Sequence, residues 1–150
     1  MYSYWDANLL VVLATGLIVA LSVLVHYEGL HWLGVRLTAS PGIRRRKVLF
    51  GVYGVIVLHV AEIWLFGACL WALTRFPNAG AIQGTSDAGL LEAVYLSATT
   101  FSTLGFGDIT PIGPLRFLTG TESVSGFILI TWSASFLFLE MQEYWRQRRA

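Results

Sequence analysis

Three long apolar runs, separated by short polar segments, dominate the chain. The first extends from about residue 7 to residue 37, the second from about residue 48 to residue 74, and the third from about residue 114 to residue 142. Each is at least as long as the roughly 20 residues with which an α-helix crosses the hydrocarbon core of a bilayer. The pattern therefore predicts an all-α integral membrane protein with three transmembrane helices.

A shorter segment, residues 90–101, lies between the second and third runs and has the length of a helix that enters the membrane without crossing it. The loop before it is rich in Gly, Asn, Ser and Asp and is too short to form a separate cap. We interpret residues 1–47 as an N-terminal transmembrane helix with a basic loop, and residues 48–150 as a second unit. This second unit would consist of an outer helix 48–74, the short helix 90–101, a loop and an inner helix 114–142.

Composition agrees with a membrane location. Hydrophobic residues make up 55% of the 150 residues, charged residues 13%, and the mean hydropathy is +0.63. A net charge of +1 does not provide the basic face that nucleic-acid binding needs, so we expect no nucleic acid as a partner. No nucleophile paired with a base and no open metal motif stands out, and the sequence therefore does not indicate an enzyme.

The segment after the short helix alternates small and bulky residues. Gly105 and Gly107 alternate with Leu104 and Phe106 and are followed by Asp108. Glycine adopts positive φ at little steric cost, so alternating glycines allow successive carbonyl groups of an extended segment to face the same side. The pattern predicts a loop that presents a column of backbone oxygens to one axis.

This loop resembles the selectivity filter of potassium channels, whose commonest form is Thr-Val-Gly-Tyr-Gly-Asp. The resemblance to the small pore-loop potassium channels covers about residues 90–140 and includes the order of re-entrant pore helix, filter and spanning helix. It implies a homotetramer in which the carbonyl oxygens of four loops replace the hydration shell of K⁺, with no cofactor other than the ions in the filter. The matching filter residues are Thr103, Leu104, Gly105, Phe106, Gly107 and Asp108.

Two filter positions depart from the commonest form. Leu104 stands where Val is usual, and Phe106 replaces Tyr, which removes a hydroxyl that would hydrogen-bond to the pore helix and stiffen the filter. Filters with Gly-Phe-Gly do occur in this family. The sequence therefore indicates a K⁺-selective channel first, with a weakly selective cation channel as the alternative.

The resemblance also reaches the inner helix. Gly126 is similar to a glycine at which inner helices of potassium channels bend, although close packing between helices would equally favour a small residue there. Ile128, Thr131 and Ser135 have the spacing of one helical face. If that face points toward the axis, these three residues line an inner cavity.

Basic residues are distributed unequally over the two sides of the predicted membrane. Arg75 and Arg116 fall on the side of the filter mouth, and the other eight fall on the opposite side. By the positive-inside rule the side with eight basic residues is cytoplasmic. In a cell membrane the N-terminus and the filter mouth would then face outward, and the C-terminus would face inward. Four of the eight would also suit anionic lipid headgroups. These four are Arg44, Arg45, Arg46 and Lys47, and the others are Arg36, Arg146, Arg148 and Arg149.

Ionisable residues also occur at membrane depth, where each needs a partner or a proton. His59 and Glu62 project from one helical face, and at 1.5 Å per residue His26 and Glu122 reach a similar depth on other helices. We predict that these four residues form one buried polar cluster beside the pore. It would act as an interhelical latch, as a proton sensor or, through His59, Glu62 and Glu122, as a divalent metal site. A membrane sensor or metal-binding protein built on a channel fold is therefore the second alternative function.

Overall fold

The computed structural model of the chain describes residues 2–39, 44–86 and 88–146. Within these residues the chain forms four α-helices and two short β-strands. In chain order the elements are α1 (Tyr2–Ala39), α2 (Arg44–Leu73), β1 (Ala81–Gln83), α3 (Leu90–Phe101), β2 (Thr110–Ile112) and α4 (Leu115–Arg146).

The helices α1, α2 and α4 are long and apolar enough to cross a membrane. In the part of the chain that the structure describes, their membrane-compatible stretches are Trp5–Thr38, Arg46–Leu73 and Leu115–Gln142. Even the stretches of 28 residues measure about 42 Å, which exceeds the roughly 30 Å of a bilayer core. The prediction of an all-α, multi-pass membrane protein is confirmed.

The three long helices extend further than the sequence analysis predicts. The helix α2 begins at Arg44, so its first turn consists of Arg44–Lys47, which the sequence analysis predicts as part of a loop. The helix α1 begins at Tyr2, and α4 continues to Arg146. Arg and Lys are good helix formers, so a helix does not have to end where its apolar run ends. The side chains of Arg44, Arg45 and Arg146 lie outside the described part, as do Arg148 and Arg149.

The short helix α3 packs against both α2 and α4, and α1 packs on the same two helices. Gly67 of α2 permits a close approach, since a Cβ at this position would lie 2.7 Å from the Cα of Val94 on α3. A core of buried apolar side chains surrounds this contact and includes Phe66, Leu70, Phe101, Leu115 and Leu118. A second, smaller group joins α1 to α2 and consists of Leu30, Leu33, Leu37 and Val55.

The strands β1 and β2 form an antiparallel pair that the sequence analysis does not predict. Ala81 pairs with Ile112, and Gln83 pairs with Thr110. Each strand has only three residues, too few for an alternating pattern to be recognised, and the two strands are separated in sequence by the whole of α3 and its loop. The pair ties the chain before α3 to the chain after the loop.

Candidate functional site

The loop that resembles a selectivity filter leaves the end of α3 in a tight turn. The backbone N–H of Thr103 donates to the carbonyl oxygen of Thr100 at 2.9 Å, and the N–H of Gly105 donates to that of Thr99 at 3.0 Å. These bonds satisfy carbonyl groups that the end of a helix would otherwise leave without a partner. The last turn of α3 therefore fixes where the loop begins.

The backbone of the loop alternates in handedness. The φ angle is positive at Thr103, Gly105 and Gly107, at 59°, 54° and 79°, whereas Leu104 and Phe106 do not share this conformation. A left-handed conformation costs a residue with a Cβ about 1–2 kcal/mol, so Thr103 holds it only because its surroundings compensate. The alternation expected from the two glycines thus includes Thr103 as well.

The two bulky side chains of the loop are largely exposed in the isolated chain. The exposed fraction is 60% for Leu104 and 65% for Phe106. A large apolar surface of this kind commonly contacts another protein surface. The loop therefore shows an unpaired apolar surface next to its left-handed positions.

A side-chain hydrogen bond anchors the outer end of the loop to α3. The hydroxyl of Tyr95 donates to Oδ2 of Asp108 at 2.7 Å, and the backbone N–H of Ile109 donates to Oδ1 of Asp108 at 3.0 Å. The Tyr95 hydroxyl, together with the backbone N–H of Ile109, lowers the pKa of Asp108. The same hydrogen bond raises the pKa of Tyr95. The carboxylate therefore stays ionised and bound to α3 at neutral pH.

Replacing Tyr95 by Phe is expected to return the pKa of Asp108 toward its ordinary value, because a donor to the carboxylate is lost. In the parent, the lowered pKa of Asp108 means that its hydrogen bond with Tyr95 is complete at neutral pH and is lost as the pH falls through that pKa. The Asp108 carboxyl signal, followed by NMR from about pH 2 to about pH 7, should therefore titrate at higher pH in the Tyr95→Phe variant than in the parent. Equal titration midpoints in the two proteins would show that the Tyr95 hydroxyl does not bond to this carboxylate.

The segment around β1 supports the loop from the other side. Gly84 has a φ of +97°, and a Cβ at this position would overlap the carbonyl oxygen of Asp108. Only a glycine fits so close to that carbonyl group. The outer end of the loop is therefore held by α3 on one side and by the chain next to β1 on the other.

Gly126 of α4 packs against the end of α3. A Cβ at this position would overlap the carbonyl oxygen of Phe101 and lie 2.9 Å from its Cα. Of the two interpretations of this glycine, a hinge and a close contact between helices, the structure shows the close contact. The inner helix and the base of the loop are in direct backbone contact here.

The three residues predicted to line a cavity lie on an exposed face of α4. Ile128, Thr131 and Ser135 are all exposed in the isolated chain. The hydroxyl of Thr131 donates to Phe127 or Ile128, and the hydroxyl of Ser135 donates to Thr131, in each case to a backbone oxygen of the same helix. The outward lone pairs of the two hydroxyl oxygens therefore remain available to solvent or ions.

His26, His59 and Glu62 lie in direct contact where α1, α2 and α4 meet. The Nδ1 of His26 is 2.7 Å from Oε1 of Glu62, and the Nδ1 of His59 is 2.9 Å from Oε2. An ionised carboxylate only accepts hydrogen bonds, so each imidazole donates its Nδ1–H. The Nε2 of His26, which is an acceptor when the ring is neutral, lies 3.4 Å from the hydroxyl oxygen of Ser133 on α4. His26 and Glu62 are completely buried.

Glu122 does not join these three residues. The predicted cluster of four residues and the predicted metal set of His59, Glu62 and Glu122 are therefore wrong with respect to Glu122. Glu122 is completely buried, and its Oε1 lies 2.5 Å from the hydroxyl oxygen of Ser97 on α3. Helix spacing gave only the depth of Glu122 in the membrane and not its position around the bundle. In the structure this side chain faces α3.

The hydroxyl of Ser97 contacts oxygen atoms of two neighbouring helices. The hydroxyl oxygen of Ser97 is also 2.8 Å from the carbonyl oxygen of Ile63 on α2. One hydroxyl has a single proton, which Ser97 donates to one of these two oxygens or shares between them. The second carboxyl oxygen of Glu122, Oε2, has no hydrogen-bond partner among the residues that the structure describes. Ser97 and Glu122 join α2, α3 and α4.

Three polar partners in these sites were not identified from the sequence. They are Tyr95, Ser97 and Ser133, each a common residue type within an apolar helix. A helical period places each on a face but does not indicate which carboxyl or imidazole group of another helix it meets. Only Tyr95 could have been identified from the sequence, because it precedes a loop that contains an acidic residue.

The chain matches known proteins over this region. A family model described as "Ion channel" matches residues 48–143. Protein LctB of Geobacillus stearothermophilus is 29% identical over 82 residues, which cover 55% of this chain and 61% of that protein. The inward rectifier potassium channel Kirbac3.1 of Paramagnetospirillum magnetotacticum is 26% identical over 85 residues, which cover 56% of this chain and 29% of that protein.

A mammalian protein is similar over a comparable part of the chain. Potassium channel subfamily K member 7 of Mus musculus is 30% identical over 89 residues, 56% of this chain and 28% of that protein. The chain thus spans less than two thirds of the length of each of these relatives. No solved structure matches the chain.

The family match begins within the first turns of α2, includes α3, the loop and β2, and ends near the end of α4. The helix α1 lies outside it. The resemblance to pore-loop potassium channels that the sequence indicates is confirmed. Because the match covers well over half of the chain and coincides with the elements that hold the loop, the chain belongs to the ion channel family.

Proposed function

We propose that the protein is the subunit of a homotetrameric channel that conducts K⁺ selectively and passively across the cell membrane. The observation that carries this proposal is the alternating handedness of the loop at Thr103, Gly105 and Gly107. Such alternation turns consecutive carbonyl groups to one side, and a column of carbonyl oxygens takes the place of water around K⁺. Two of the relatives are named as potassium channels, which supports the same ion.

The ion-binding atoms are the backbone oxygens from Thr103 to Phe106, with the Thr103 hydroxyl at the inner end. Gly107 and Asp108 form the outer end, where the Tyr95 bond holds the loop to α3. The anchor at Asp108 takes over a part of the stiffening that the absent hydroxyl at Phe106 would supply. This arrangement favours K⁺ selectivity over a weakly selective pore.

One chain supplies one loop, so a pore requires symmetric copies of it. In the isolated chain Leu104 and Phe106 are exposed, as are Phe127 and Ile128 on α4. Copies of the same chain arranged around an axis would cover Leu104 and Phe106 and would leave Thr131 facing a central cavity. A tetramer is the assembly that places four loops around one ion.

The orientation follows from the distribution of charge. The first turn of α2 contains Arg44–Lys47 and would lie at the cytoplasmic surface, where anionic headgroups concentrate. A cysteine introduced at Ser3 should then react with an impermeant thiol reagent added outside the cell, and one introduced at Gln147 should not, in a background in which Cys69 is replaced by Ser. The reverse labelling pattern would overturn the orientation.

An ion-flux assay with purified protein in liposomes tests the proposed function. Liposomes loaded with K⁺ and diluted into Na⁺ should develop an inside-negative potential, which drives proton uptake when a protonophore is added. Liposomes loaded with Na⁺ and diluted into K⁺ should not take up protons. A weakly selective pore would develop no potential and drive no proton uptake, but it would still exchange radioactive Rb⁺ and Na⁺ tracers. Absence of proton uptake together with absence of tracer exchange would contradict the channel itself.

A further inference from the structure

His26, His59 and Glu62 do not belong to the filter loop, and ion conduction does not account for them. The structure brings one ligand atom of each to within 4.8 Å of the others. The side chains of His26 and Glu62 are completely buried, and that of His59 is 16% exposed. Two imidazoles and a carboxylate are therefore held together at the junction of α1 and α2, with a single exposed edge at His59.

We propose that these three residues bind one divalent transition-metal ion of the Zn²⁺ class. Imidazole nitrogen and carboxylate oxygen are ligands that Zn²⁺, Co²⁺ and Fe²⁺ accept readily. Two neutral imidazoles and one ionised carboxylate carry a net charge of −1, so the site with a bound divalent cation would have a net charge of +1. The ion would join α1 to α2.

The observed distances suit the replacement of protons by a metal ion. Bonds from Zn²⁺ to imidazole nitrogen and to carboxylate oxygen are about 2.0–2.2 Å long, so tetrahedral ligands lie about 3.3 Å apart. Nitrogen and oxygen are now 2.7 Å apart at His26 and 2.9 Å apart at His59. In each imidazole the proton would move from Nδ1 to Nε2, and each nitrogen would separate from its carboxylate oxygen by roughly half an ångström. The two imidazole nitrogens lie within 4.8 Å of each other and would have to approach to about the 3.3 Å that separates tetrahedral ligands.

A partner for the second nitrogen of His26 is already in place. Histidine ligands usually donate their other N–H to a nearby oxygen, which fixes the ring. Once Nδ1 binds a metal, Nε2 of His26 carries the proton and donates to the hydroxyl oxygen of Ser133, 3.4 Å away. The ring of Trp132 lies 5.2 Å from that of His26, and the ring of Phe101 lies 5.7 Å from that of His59. These aromatic walls limit the access of water.

Metal binding can be measured without ion flux, so its failure and a failure of K⁺ conduction are distinguishable. The full chain, purified in detergent with any affinity tag removed and stripped with a chelator, is dialysed against Co²⁺ and then against Zn²⁺. We expect one ion per chain, visible absorption bands of Co²⁺ with nitrogen and oxygen ligands, and loss of these bands when Zn²⁺ displaces Co²⁺.

Glu62→Gln removes the charged ligand but keeps its shape, and His59→Asn acts at the exposed edge, where folding is least sensitive. Loss of a group that hydrogen-bonds to a metal ligand weakens binding roughly 10- to 100-fold, and Ser133→Ala should fall within that range. Each of the two ligand substitutions should weaken binding by more than this. Glu122→Gln and His31→Gln are the matched controls, because they change a buried carboxyl and a histidine of α1 outside the cluster. Both should bind the metal as the parent does.

Three results would overturn the proposal. One is parent protein that retains no Co²⁺ or Zn²⁺ after dialysis. Another is equal binding by Glu62→Gln, His59→Asn and the parent, provided that both variants elute as the parent does in size-exclusion chromatography. The third is loss of binding in His31→Gln instead. In the first case the three residues are a hydrogen-bonded latch between helices.

Discussion

Replacing Gly105 by Ala is expected to abolish the preference of the pore for K⁺, so that the permeability ratio of K⁺ to Na⁺ falls to about one. Gly105 has a φ of +54°, where a residue with a Cβ costs about 1–2 kcal/mol. Apart from its neighbours in the chain, no atom of the described residues lies within 4 Å of the added Cβ, so the substitution acts on backbone conformation. In a tetramer that strain is repeated four times around one column of oxygens.

Gly113→Ala is the matched control for backbone strain. Gly113 has a φ of +70° but lies after β2, outside the loop, and an added Cβ would be 3.2 Å from the Cα of Gly80. This variant should lose some stability and keep its ion preference. If Gly105→Ala shows the same permeability ratio as the parent, the assignment of residues 103–108 as the filter is contradicted.

Replacing Gly126 by Ala is expected to lower stability and conduction together. The added Cβ would overlap the carbonyl oxygen of Phe101, so α4 and the end of α3 would have to separate. Overpacking of this kind typically costs about 1–3 kcal/mol. Because the last turn of α3 holds the loop at Thr103, the displacement would reach the backbone oxygens proposed to bind ions. The midpoint of thermal unfolding in detergent and the flux in liposomes measure the two effects.

The control for Gly126→Ala is Gly16→Ala, on an exposed face of α1. Outside its own stretch of helix, no atom in the part of the chain that the structure describes lies within 4 Å of the added Cβ. This control should unfold and conduct as the parent does. A role as a hinge makes a different prediction for Gly126→Ala, namely altered opening with unchanged thermal stability. That result would show that the contact with Phe101 tolerates a methyl group and that bending is the function of this glycine.

The apolar runs were sufficient to predict the membrane helices, because a bilayer selects for length and hydropathy, and both are visible in a single sequence. The sequence also indicated the short helix at residues 90–101, where the structure has α3. The alternation of Gly105 and Gly107 indicated left-handed backbone, which the structure shows at both positions and also at Thr103. Local patterns of this kind predict local conformation.

The positions of side chains around the bundle could not be obtained in the same way. Depth along a helix placed His26, His59, Glu62 and Glu122 at one level, but only the packing of α3 against α4 turned Glu122 toward Ser97. The pair β1 and β2 depends on contacts across α3 and its loop, and neither strand has a pattern of its own. Partners on different helices are determined by the tertiary arrangement, which a single sequence does not encode in any local pattern.

The most direct test of the account is the reversal potential of the reconstituted parent protein with K⁺ on one side of a planar bilayer and Na⁺ on the other. A pore lined by the carbonyl oxygens of residues 103–106 should give a reversal potential close to the limit for K⁺ alone, and exchanging the two solutions should reverse its sign. A reversal potential near zero in both arrangements would contradict the central claim that this loop selects K⁺.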